Sequence, residues 1–414
     1  MTAHPTSMGG KNNAATDAIL FEGAQLIVGD GNDPIENSAF VVENAYFTQV
    51  GKAGELTVPE NVKRIDLSGK TVMPAIIDTH VHLGTAAVGQ PPYSREKLID
   101  GLQRKAYYGV AAAAGLGLDL GETAFQLRDE IIPNAAQHLT AGRGITRPEP
   151  GRSEIPYWVT NEAGARKAVQ ELAANKVDLV KIWVDDRGGK YEKLTPDLYG
   201  AIIDESHTHG IRVTAHIFTL EDAKGLLRAG IDGFAHSIRD TDVDDELVEL
   251  VKERPNVWLV PNLPSRGVAS DLSWLSGTVK TDALKKLQDA SVDRPRAQKS
   301  FAIQARNLVR LHKEGMTVAL GTDGGFGWSP HAEMEDMVAA GLTPAQVIVA
   351  STQTAAKILR LDHLGTVESG KSASFIVLDK NPLDDITNTR HINSVYLRGT
   401  AVDRDTLSTQ WTTP

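Results

Sequence analysis

The chain has 414 residues, of which 41% are hydrophobic and 23% are charged, with a formal net charge of −10 and no cysteine. This length exceeds an ordinary single domain, so we expect two domains or one large barrel with an appendage. The missing cysteines exclude disulfides, thiol nucleophiles and thiolate metal sites, and the acidic balance disfavours nucleic acid and anionic membranes as partners. We therefore expect a small-molecule substrate, and nitrogen and oxygen ligands for any metal.

The start of the chain lacks the features of a targeting segment. The first sixteen residues, MTAHPTSMGGKNNAAT, have no apolar periodicity, so we expect residues 1–16 to form a disordered tail. The basic and apolar regions of a secretory signal are missing, and no run approaches the ~20 apolar residues of a membrane-spanning helix. These features predict a cytoplasmic protein, which we expect to be a homo-oligomer.

β-rich segments stand at both ends of the chain. Runs such as AILFEGAQLIVGD and SAFVVENAYFTQVG contain many β-branched and aromatic residues and are broken by Gly, Asn and Asp. This pattern predicts a small antiparallel β domain. The β character returns near the other end in SASFIVLDKNP and INSVYLRG. We therefore expect residues 17–71 and 362–414 to build one composite β-sandwich domain.

Residues 72–361 repeat an apolar, strand-like run followed by an amphipathic stretch, about eight times. Apolar runs that alternate with helices predict a parallel sheet buried on both faces, and eight such units predict an α/β fold of the (β/α)8 TIM-barrel type. A doubly wound sheet also fits the alternation, but LGLDLGE is a poor phosphate-binding turn. The predicted strands are TVMPAIIDTHVH, GVAAAAGLGL, AQHLTAG, VDLVKIWV, RVTAHIF, DGFAHSI, VWLVPNL and TVALGTD.

The strongest local motif is the pair of histidines at the end of the first predicted barrel strand. Side chains alternate faces along a strand, so His80 and His82 point the same way, with Asp78 below them. Both imidazoles can therefore bind one metal ion. Two histidines at this spacing can also occur by chance or form a solvated face.

Four further side chains with potential ligand atoms stand at the ends of later predicted strands. In a barrel the carboxyl ends of all strands meet at one face, so groups far apart in sequence can share a site. Taken singly, each is weak evidence, because a lone buried histidine is usually a packed core residue and an aspartate can cap a turn. The four residues are Lys181, His216, His236 and Asp323.

This set of residues resembles the pattern of the amidohydrolase superfamily. The segments GKTVMPAIIDTHVH and STQTAAKILRLDHLGTVESGKSASFIVLDKNPLDDI are similar to that family's entry into the barrel and exit from it. GTDGGFGWSPHAEMEDMVAAGLTPAQVI is most similar to the branch with imidazolonepropionase and prolidase-like Xaa-Pro dipeptidases. Ala75, Ser374 and Asn262 depart from the family's usual sequence, and Asn262 changes the pocket floor and puts transfer of the substrate in doubt.

The resemblance implies a binuclear metal centre. His80 and His82, with Asp323, would hold one divalent ion, while His216 and His236 would hold the second. Zinc suits these ligands, and manganese, iron, cobalt and nickel are alternatives. The family pattern also implies that Lys181 reacts with carbon dioxide to form a carbamate that bridges the ions. The alternative is an unmodified Lys181 that pairs with Asp185 or Asp186 beside a mononuclear site.

The expected chemistry is hydrolysis by a water whose pKa is lowered by a metal ion. Asp323 would accept the proton of that water and deliver it to the leaving amine. A pocket donor would help to polarise the scissile carbonyl group. The candidates for this donor are Tyr93, His138 and His331, of which His331 matches a histidine on loop eight of relatives.

The loops after the strands should set the specificity. A long insertion at 263–291 is expected to shape the pocket. Arginines in these loops could bind a substrate carboxylate, and tryptophans could form apolar walls. The arginines are Arg143, Arg147, Arg152 and Arg187, and the tryptophans are Trp158, Trp183, Trp274 and Trp328.

The leading hypothesis is a metal-dependent amidohydrolase that cleaves an amide, N-acyl or dipeptide-like C–N bond. A lactonase, an esterase or a decarboxylase on the same binuclear site is the alternative within enzymes. A third reading is a non-catalytic scaffold that keeps the barrel for assembly, which the complete set of predicted ligands disfavours.

Overall fold

A computed structural model describes residues 18–83 and 94–413 of the chain. The predicted tail at 1–16 lies outside these residues. The strands are β1 Ile19–Glu22, β2 Gln25–Leu26, β3 Ser38–Glu43, β4 Tyr46–Lys52, β5 Lys63–Asp66, β6 Thr71–Pro74, β7 Ile76–Val81, β8 Val110–Gly115, β9 Gln137–Thr140, β10 Ile145–Thr146, β11 Tyr157–Trp158, β12 Val180–Val184, β13 Val213–Ile217, β14 Gly233–Ala235, β15 Trp258–Val260, β16 Thr317–Val318, β17 Phe375–Leu378, β18 Ile392–Leu397 and β19 Thr400–Ala401.

Helices follow most of the central strands, as the alternation in the sequence predicts. They are α1 Arg95–Tyr107, α2 Thr123–Arg128, α3 Glu162–Ala174, α4 Pro196–Thr208, α5 Leu220–Ala229, α6 Asp245–Lys252, α7 Thr281–Ala290, α8 Pro295–Lys313, α9 Ser329–Ala340, α10 Pro344–Ser351, α11 Gln353–Leu359 and α12 Arg404–Thr412. Short 3-10 helices occur at Ser273–Leu275 and Ile386–Arg390.

Local sequence signals determine where these helices begin and end. Helix α5 is an example: the Thr219 side chain accepts a hydrogen bond from the backbone N–H of Asp222, and Gly230 closes the helix with φ of 96°. Its apolar face buries Leu226 and Leu227 against the strands. The insertion at 263–291 contains α7, which the sequence analysis did not predict.

The two ends of the chain meet in a pair of sheets. One sheet has the order β4-β3-β1-β5, and the other has the order β19-β18-β17-β6-β2, so the second combines strands from both ends. Aromatic rings connect the sheets: the ring of Phe375 lies 5.2 Å from that of Phe21 and 5.1 Å from that of Phe40. The prediction of purely antiparallel pairing is wrong, because β1 pairs with β5 and β2 pairs with β6 in parallel.

The central strands form two parallel sheets, with the orders β7-β8-β9 and β11-β10-β12-β13-β14-β15-β16. Over the described residues these strands are not one closed ladder, which is a departure from the predicted barrel. One reason is that β16 has only two residues before the chain turns toward Asp323, where φ is 51°. Backbone hydrogen bonds still join the sheets at both edges, from Thr79 to Leu320 at 3.1 Å and from Asp178 to Thr140 at 3.0 Å.

The predicted first barrel strand, TVMPAIIDTHVH, is two strands in different sheets. Strand β6 pairs with β17 in the terminal sheet, and β7 pairs with β8 in the central one. Ala75 connects them, and its backbone N–H donates to the carbonyl of Ser374 at 3.0 Å. The chain therefore enters the central sheets directly from the terminal ones, and β7 carries the first histidine of the site.

Candidate metal centre

Most of the predicted ligands stand at the carboxyl ends of central strands or just after them, whereas Lys181 is the second residue of its strand. His80 lies in β7, Lys181 in β12 and His216 in β13. His236 directly follows β14, and Asp323 follows β16 after a short turn. Parallel strands expose these ends on the same face, which is why residues more than 240 positions apart can meet.

Three of these residues form a compact group of ligand atoms. One atom each from His80, His236 and Asp323 lie within 4.8 Å of one another. Nε2 of His80 is 3.1 Å from Oδ1 of Asp323, and Nε2 of His236 is 3.5 Å from Oδ2. Nε2 of His82 approaches the same Oδ1 at 3.0 Å. The structure thus brings the two histidines of β7, His236 and Asp323 together, as predicted from the sequence.

The orientation of His80 is determined by Asn262, which sequence analysis placed only at the pocket floor. Nδ1 of His80 donates to Oδ1 of Asn262 at 2.9 Å, and both residues are buried. With its proton on Nδ1, the imidazole turns the lone pair of Nε2 toward Asp323. Two acceptor atoms at 3.1 Å repel each other unless a cation or proton lies between them, so this arrangement suits a bound cation.

Burial keeps the imidazoles neutral. It lowers the pKa of His80 to about 4 and that of His216 to about 3, and it lowers the pKa of His236 well below its usual value. Burial raises the pKa of Asp323, whereas the neighbouring His80, His82 and His236, when they are protonated, lower it below its usual value. Neutral imidazoles and an ionised carboxylate are the forms that bind divalent cations.

Lys181 is completely buried next to this group. Its Nζ lies 3.2 Å from Nε2 of His80 and 5.5 Å from the centre of the Trp183 ring. Burial lowers the pKa of Lys181 to about 7, although the charge of Asp323 acts in the opposite direction. Among the described residues Lys181 forms no ion pair with Asp185 or Asp186, its partners in the alternative prediction: Asp185 pairs with Arg187, and Asp186 accepts hydrogen bonds from the backbone N–H groups of Gly188 and Gly189.

His216 lies at the edge of the group. Its ring centre is 4.5 Å from that of His236, but its Nε2 faces Oδ2 of Asp185 and Nη1 of Arg187, each at 3.0 Å. The structure therefore places His216 beside His236 without adding it to the three-residue group.

A buried ion pair lies beneath the site and was not predicted. Nζ of Lys105 on α1 donates to Oδ2 of Asp78 at 2.7 Å, with neither side chain exposed. Asp78 also accepts hydrogen bonds from the backbone N–H of Thr322 at 3.1 Å and from its hydroxyl group at 2.8 Å. Because Thr322 precedes Asp323, Asp78 connects strand β7, which carries His80, to the turn that carries Asp323.

Comparison with known proteins places the chain among hydrolases. The model of the amidohydrolase family matches residues 71–402. The chain belongs to the amidohydrolase family. Ochratoxinase from Aspergillus niger is 26% identical over 437 aligned positions, which cover 90% of this chain and 84% of that protein. Imidazolonepropionase from Brevibacillus brevis is 23% identical, with coverage of 89% and 90%.

A solved structure supports the fold. A Xaa-Pro dipeptidase with bound methionine in its active site superposes with a TM-score of 0.74 over 93% of this chain and 99% of the dipeptidase, at 22% identity. This likeness confirms an α/β fold of the TIM-barrel type for the amidohydrolase chain. Within the described ranges, every helix is too short or too polar to span a bilayer.

Family membership and the related hydrolases make this amidohydrolase an enzyme that acts on C–N bonds. Its family is generally metal-dependent, and the group of His80, His236 and Asp323 can hold a metal ion. Small molecules are its substrates.

The three predicted carbonyl donors differ in their surroundings. Tyr93 lies outside the described residues. His331 is fully buried and engages both ring nitrogens, Nδ1 with the hydroxyl group of Thr389 and Nε2 with the carbonyl of Tyr108, each at 2.9 Å. These are the contacts of a structural histidine. His138 on β9 is also buried, but neither of its ring nitrogens has a hydrogen-bond partner among the described residues.

Most of the arginines that were predicted to bind a substrate carboxylate instead bind other groups of the protein. Arg143 donates to the carbonyl of Ile155 and stacks on the Tyr157 ring at 4.1 Å. Arg147 pairs with Glu192, and Arg152 with Glu149. Only Arg187 of this set reaches the metal centre, through His216.

The tryptophans do not line one common pocket. Trp183 packs under Lys181, and Trp328 stacks on Phe326 with ring centres 4.5 Å apart. Trp274 packs against Tyr108, and the indole N–H of Trp158 donates to a backbone carbonyl. Of the four tryptophans that were predicted to form apolar walls, Trp183 is therefore the one that packs against a proposed metal ligand, Lys181.

Proposed function

We propose that this enzyme cleaves an amide, N-acyl or dipeptide-like C–N bond at a centre that binds two divalent ions, with zinc as the most suitable metal. The observation that carries the proposal is the approach of the neutral His80 Nε2 to the ionised Asp323 carboxylate at 3.1 Å, with His82 and His236 around it. Such a concentration of acceptor atoms is suited to a bound cation.

The proposed ligands are the histidine and aspartate groups together with a modified lysine. The neutral amine of Lys181 attacks carbon dioxide and releases a proton, which gives a carbamate with two oxygen atoms in place of a nitrogen that cannot bridge cations. Burial of Lys181 and its low pKa favour the neutral amine. The six proposed ligands are His80, His82, Lys181, His216, His236 and Asp323.

When bound, the ions would lower the pKa of the attacking water and polarise the scissile carbonyl group. Asp323 accepts the proton of the water on its carboxylate and transfers it to the nitrogen of the leaving amine. His138, whose ring nitrogens have no hydrogen-bond partner among the described residues and whose Nε2 lies 3.7 Å from Oδ2 of Asp119, donates a hydrogen bond to the carbonyl oxygen.

The related enzymes support this class of reaction. Ochratoxinase, imidazolonepropionase and a Xaa-Pro dipeptidase are similar to this chain over most of its length. We infer that the substrate is a small N-acyl compound or dipeptide. We also infer that residues 72–361 form a (β/α)8 barrel. We further infer that residues 17–71 and 362–414 form one β-sandwich domain. The pairing of β6 with β17 and the apolar cluster that the two terminal sheets share support this second inference.

A substrate screen tests the proposed function. Protein loaded with zinc would be incubated with N-acyl amino acids, dipeptides, lactones and aromatic acids, while release of amine, acid and carbon dioxide is measured. We expect amine release that disappears after chelation and returns with metal. Hydrolysis of lactones alone, or release of carbon dioxide alone, would contradict the proposal.

A further inference from the structure

We propose that Glu333 is a positioning residue of the metal centre. It fixes the peptide group that joins Asn262 to Leu263, and Asn262 in turn fixes the imidazole of His80. The inference rests on the proposed function, which makes His80 a metal ligand, and Glu333 acts on that ligand only through the residues between them.

Asn262 holds its backbone in a conformation that needs support. Its φ is 43°, in the left-handed region, and the residue is buried shortly after the end of β15. Asparagine tolerates this region better than most residues do, but such a conformation is kept only where neighbouring groups determine it. Because Oδ1 of Asn262 accepts the proton of Nδ1 of His80 at 2.9 Å, a change in this backbone would move the acceptor of the imidazole.

Glu333 supplies that support from helix α9. Its side chain is buried, and its Oε1 accepts a hydrogen bond from the backbone N–H of Leu263 at 3.0 Å. This N–H belongs to the planar peptide group that begins at the carbonyl carbon of Asn262. The hydrogen bond therefore fixes the orientation of that plane, and with it the ψ angle of Asn262.

Two further carboxylates of α9 hold the same segment of the chain. Arg266, near the start of the insertion, pairs with Glu335 at 2.5 Å and with Asp336 at 2.6 Å. Helix α9 begins shortly after the turn that carries Asp323. The helix thus connects the segment of Asp323 to the segment that follows Asn262, so both sides of the metal centre depend on its position.

Glu333 can perform this task without a charge. Burial, and after it the charge of Asp336, raise the pKa of Glu333 well above its usual value, which favours the neutral acid. A neutral carboxyl group still offers a carbonyl oxygen as an acceptor. Glutamine offers the same acceptor in nearly the same position, whereas methionine fills a similar volume without a carbonyl oxygen. Glu333→Gln should therefore retain the function that Glu333→Met loses.

The test is a double-mutant cycle on zinc affinity. Dissociation constants for zinc would be measured by competition with a chelator for Asn262→Gly, Glu333→Met and the double variant. Glycine tolerates the left-handed backbone and removes the acceptor of His80. Each single variant should bind zinc at least about tenfold more weakly than wild type. The double variant should lose at most about twofold more than Asn262→Gly, because both residues act on one imidazole.

Two other variants separate this role from a loss of stability. Glu333→Gln should bind zinc within about twofold of wild type. The matched control is Asp232→Leu, which removes a carboxylate that accepts the backbone N–H of Val213 at 2.8 Å, at the end of β13 away from the ligands. This control should keep its zinc affinity even where thermal unfolding shows lower stability. If Glu333→Met does not fold, Glu333→Asp, whose carboxyl group is one methylene shorter, replaces it in the cycle.

The outcomes distinguish this inference from the proposed function. Losses that multiply in the double variant, an unchanged affinity in Glu333→Met, or an equal loss in Glu333→Gln would overturn the role of Glu333, even if wild type releases amine. If wild type binds zinc but cleaves no C–N bond, the proposed function fails, and the cycle still decides the role of Glu333. A wild type that binds no zinc would overturn both.

Discussion

Nζ of Lys105 lies 2.7 Å from Oδ2 of Asp78, and neither side chain is exposed to solvent. The pair joins helix α1 to strand β7, and Asp78 extends the connection to Thr322 through two hydrogen bonds. The Asp78 carboxylate thus connects the segment that carries His80 to the segment that carries Asp323, and both are proposed metal ligands. The positioning of the site depends on this buried charge pair, and Asp78 also accepts a hydrogen bond from the backbone N–H of His80 at 3.4 Å.

We predict that Lys105→Met lowers the free energy of unfolding by about 3–5 kcal/mol, because it leaves the Asp78 carboxylate buried without its partner. Metal content should fall as well, because Lys105 no longer fixes the Asp78 carboxylate that accepts the hydrogen bonds of Thr322. Denaturant unfolding and elemental analysis measure the two effects. Lys285→Met is the matched control, because Lys285 pairs with Asp289 at 2.8 Å on an exposed surface where such pairs contribute little. Equal stability of the two variants would refute this role of the ion pair.

Asp323→Asn should lower turnover by at least roughly a hundredfold, the range of general acid and base groups, while KM changes little. An amide can still coordinate a cation weakly but cannot carry the proton from the water to the leaving amine. Steady-state kinetics with parallel metal analysis check the prediction. Turnover near that of wild type, at unchanged metal content, would assign the proton transfer to another residue.

Lys181→Ala should lose metal and activity together, because it removes both proposed carbamate oxygens. Added acetate or bicarbonate should restore part of both, since either anion can place two oxygens in the vacated space. A variant that keeps its metal and most of its rate would leave a site built only from the histidines and Asp323. A density map of wild-type protein that shows a free amine at Lys181 would contradict the carbamate directly.

His331 should act on stability rather than catalysis. His331→Gln is expected to reduce the free energy of unfolding by about 1–3 kcal/mol at pH 7 through the hydrogen bonds to Thr389 and Tyr108, with turnover per folded molecule unchanged. A hundredfold loss of turnover in well-folded protein would instead make His331 catalytic.

The same variant has a pH signature. Burial lowers the pKa of His331 to about 3 in the folded protein, against about 6.5 in the unfolded chain. Between these values only the unfolded chain binds the proton, so wild type loses stability as the pH falls through this window. Removing His331 removes one such proton, and the slope of stability against pH should be smaller by up to about 1.4 kcal/mol per unit. Denaturant titrations at several pH values between 4 and 7 measure it.

The sequence was sufficient for features that depend on local periodicity and on strand ends. Alternation along β7 and the residue after it put His80 and His82 on one face, and the repeated strand–helix pattern placed His236 and Asp323 just after strands whose ends meet near His80. Contacts between distant positions could not be predicted in this way. The bond from His80 to Asn262 spans 182 positions, and no local pattern marks its two ends.

One further miss has the same physical origin. The pairing of His331 with Thr389 depends on a 3-10 helix near the end of the chain, which gives no strong sequence signal. The sequence favoured His331 over His138 because His331 matches a histidine on loop eight of relatives, but both ring nitrogens of His331 are engaged, whereas those of His138 have no hydrogen-bond partner among the described residues.

The central claim is that the residues around His80 and Asp323 bind two divalent ions that the hydrolysis of a C–N bond requires. The most direct measurement is a titration of chelated protein with zinc, in which bound metal per chain and the rate of amine release are followed together. We expect both to rise in parallel and to saturate at about two ions per chain. Full activity in metal-free protein, or saturation of binding and rate at a single ion, would contradict the binuclear account.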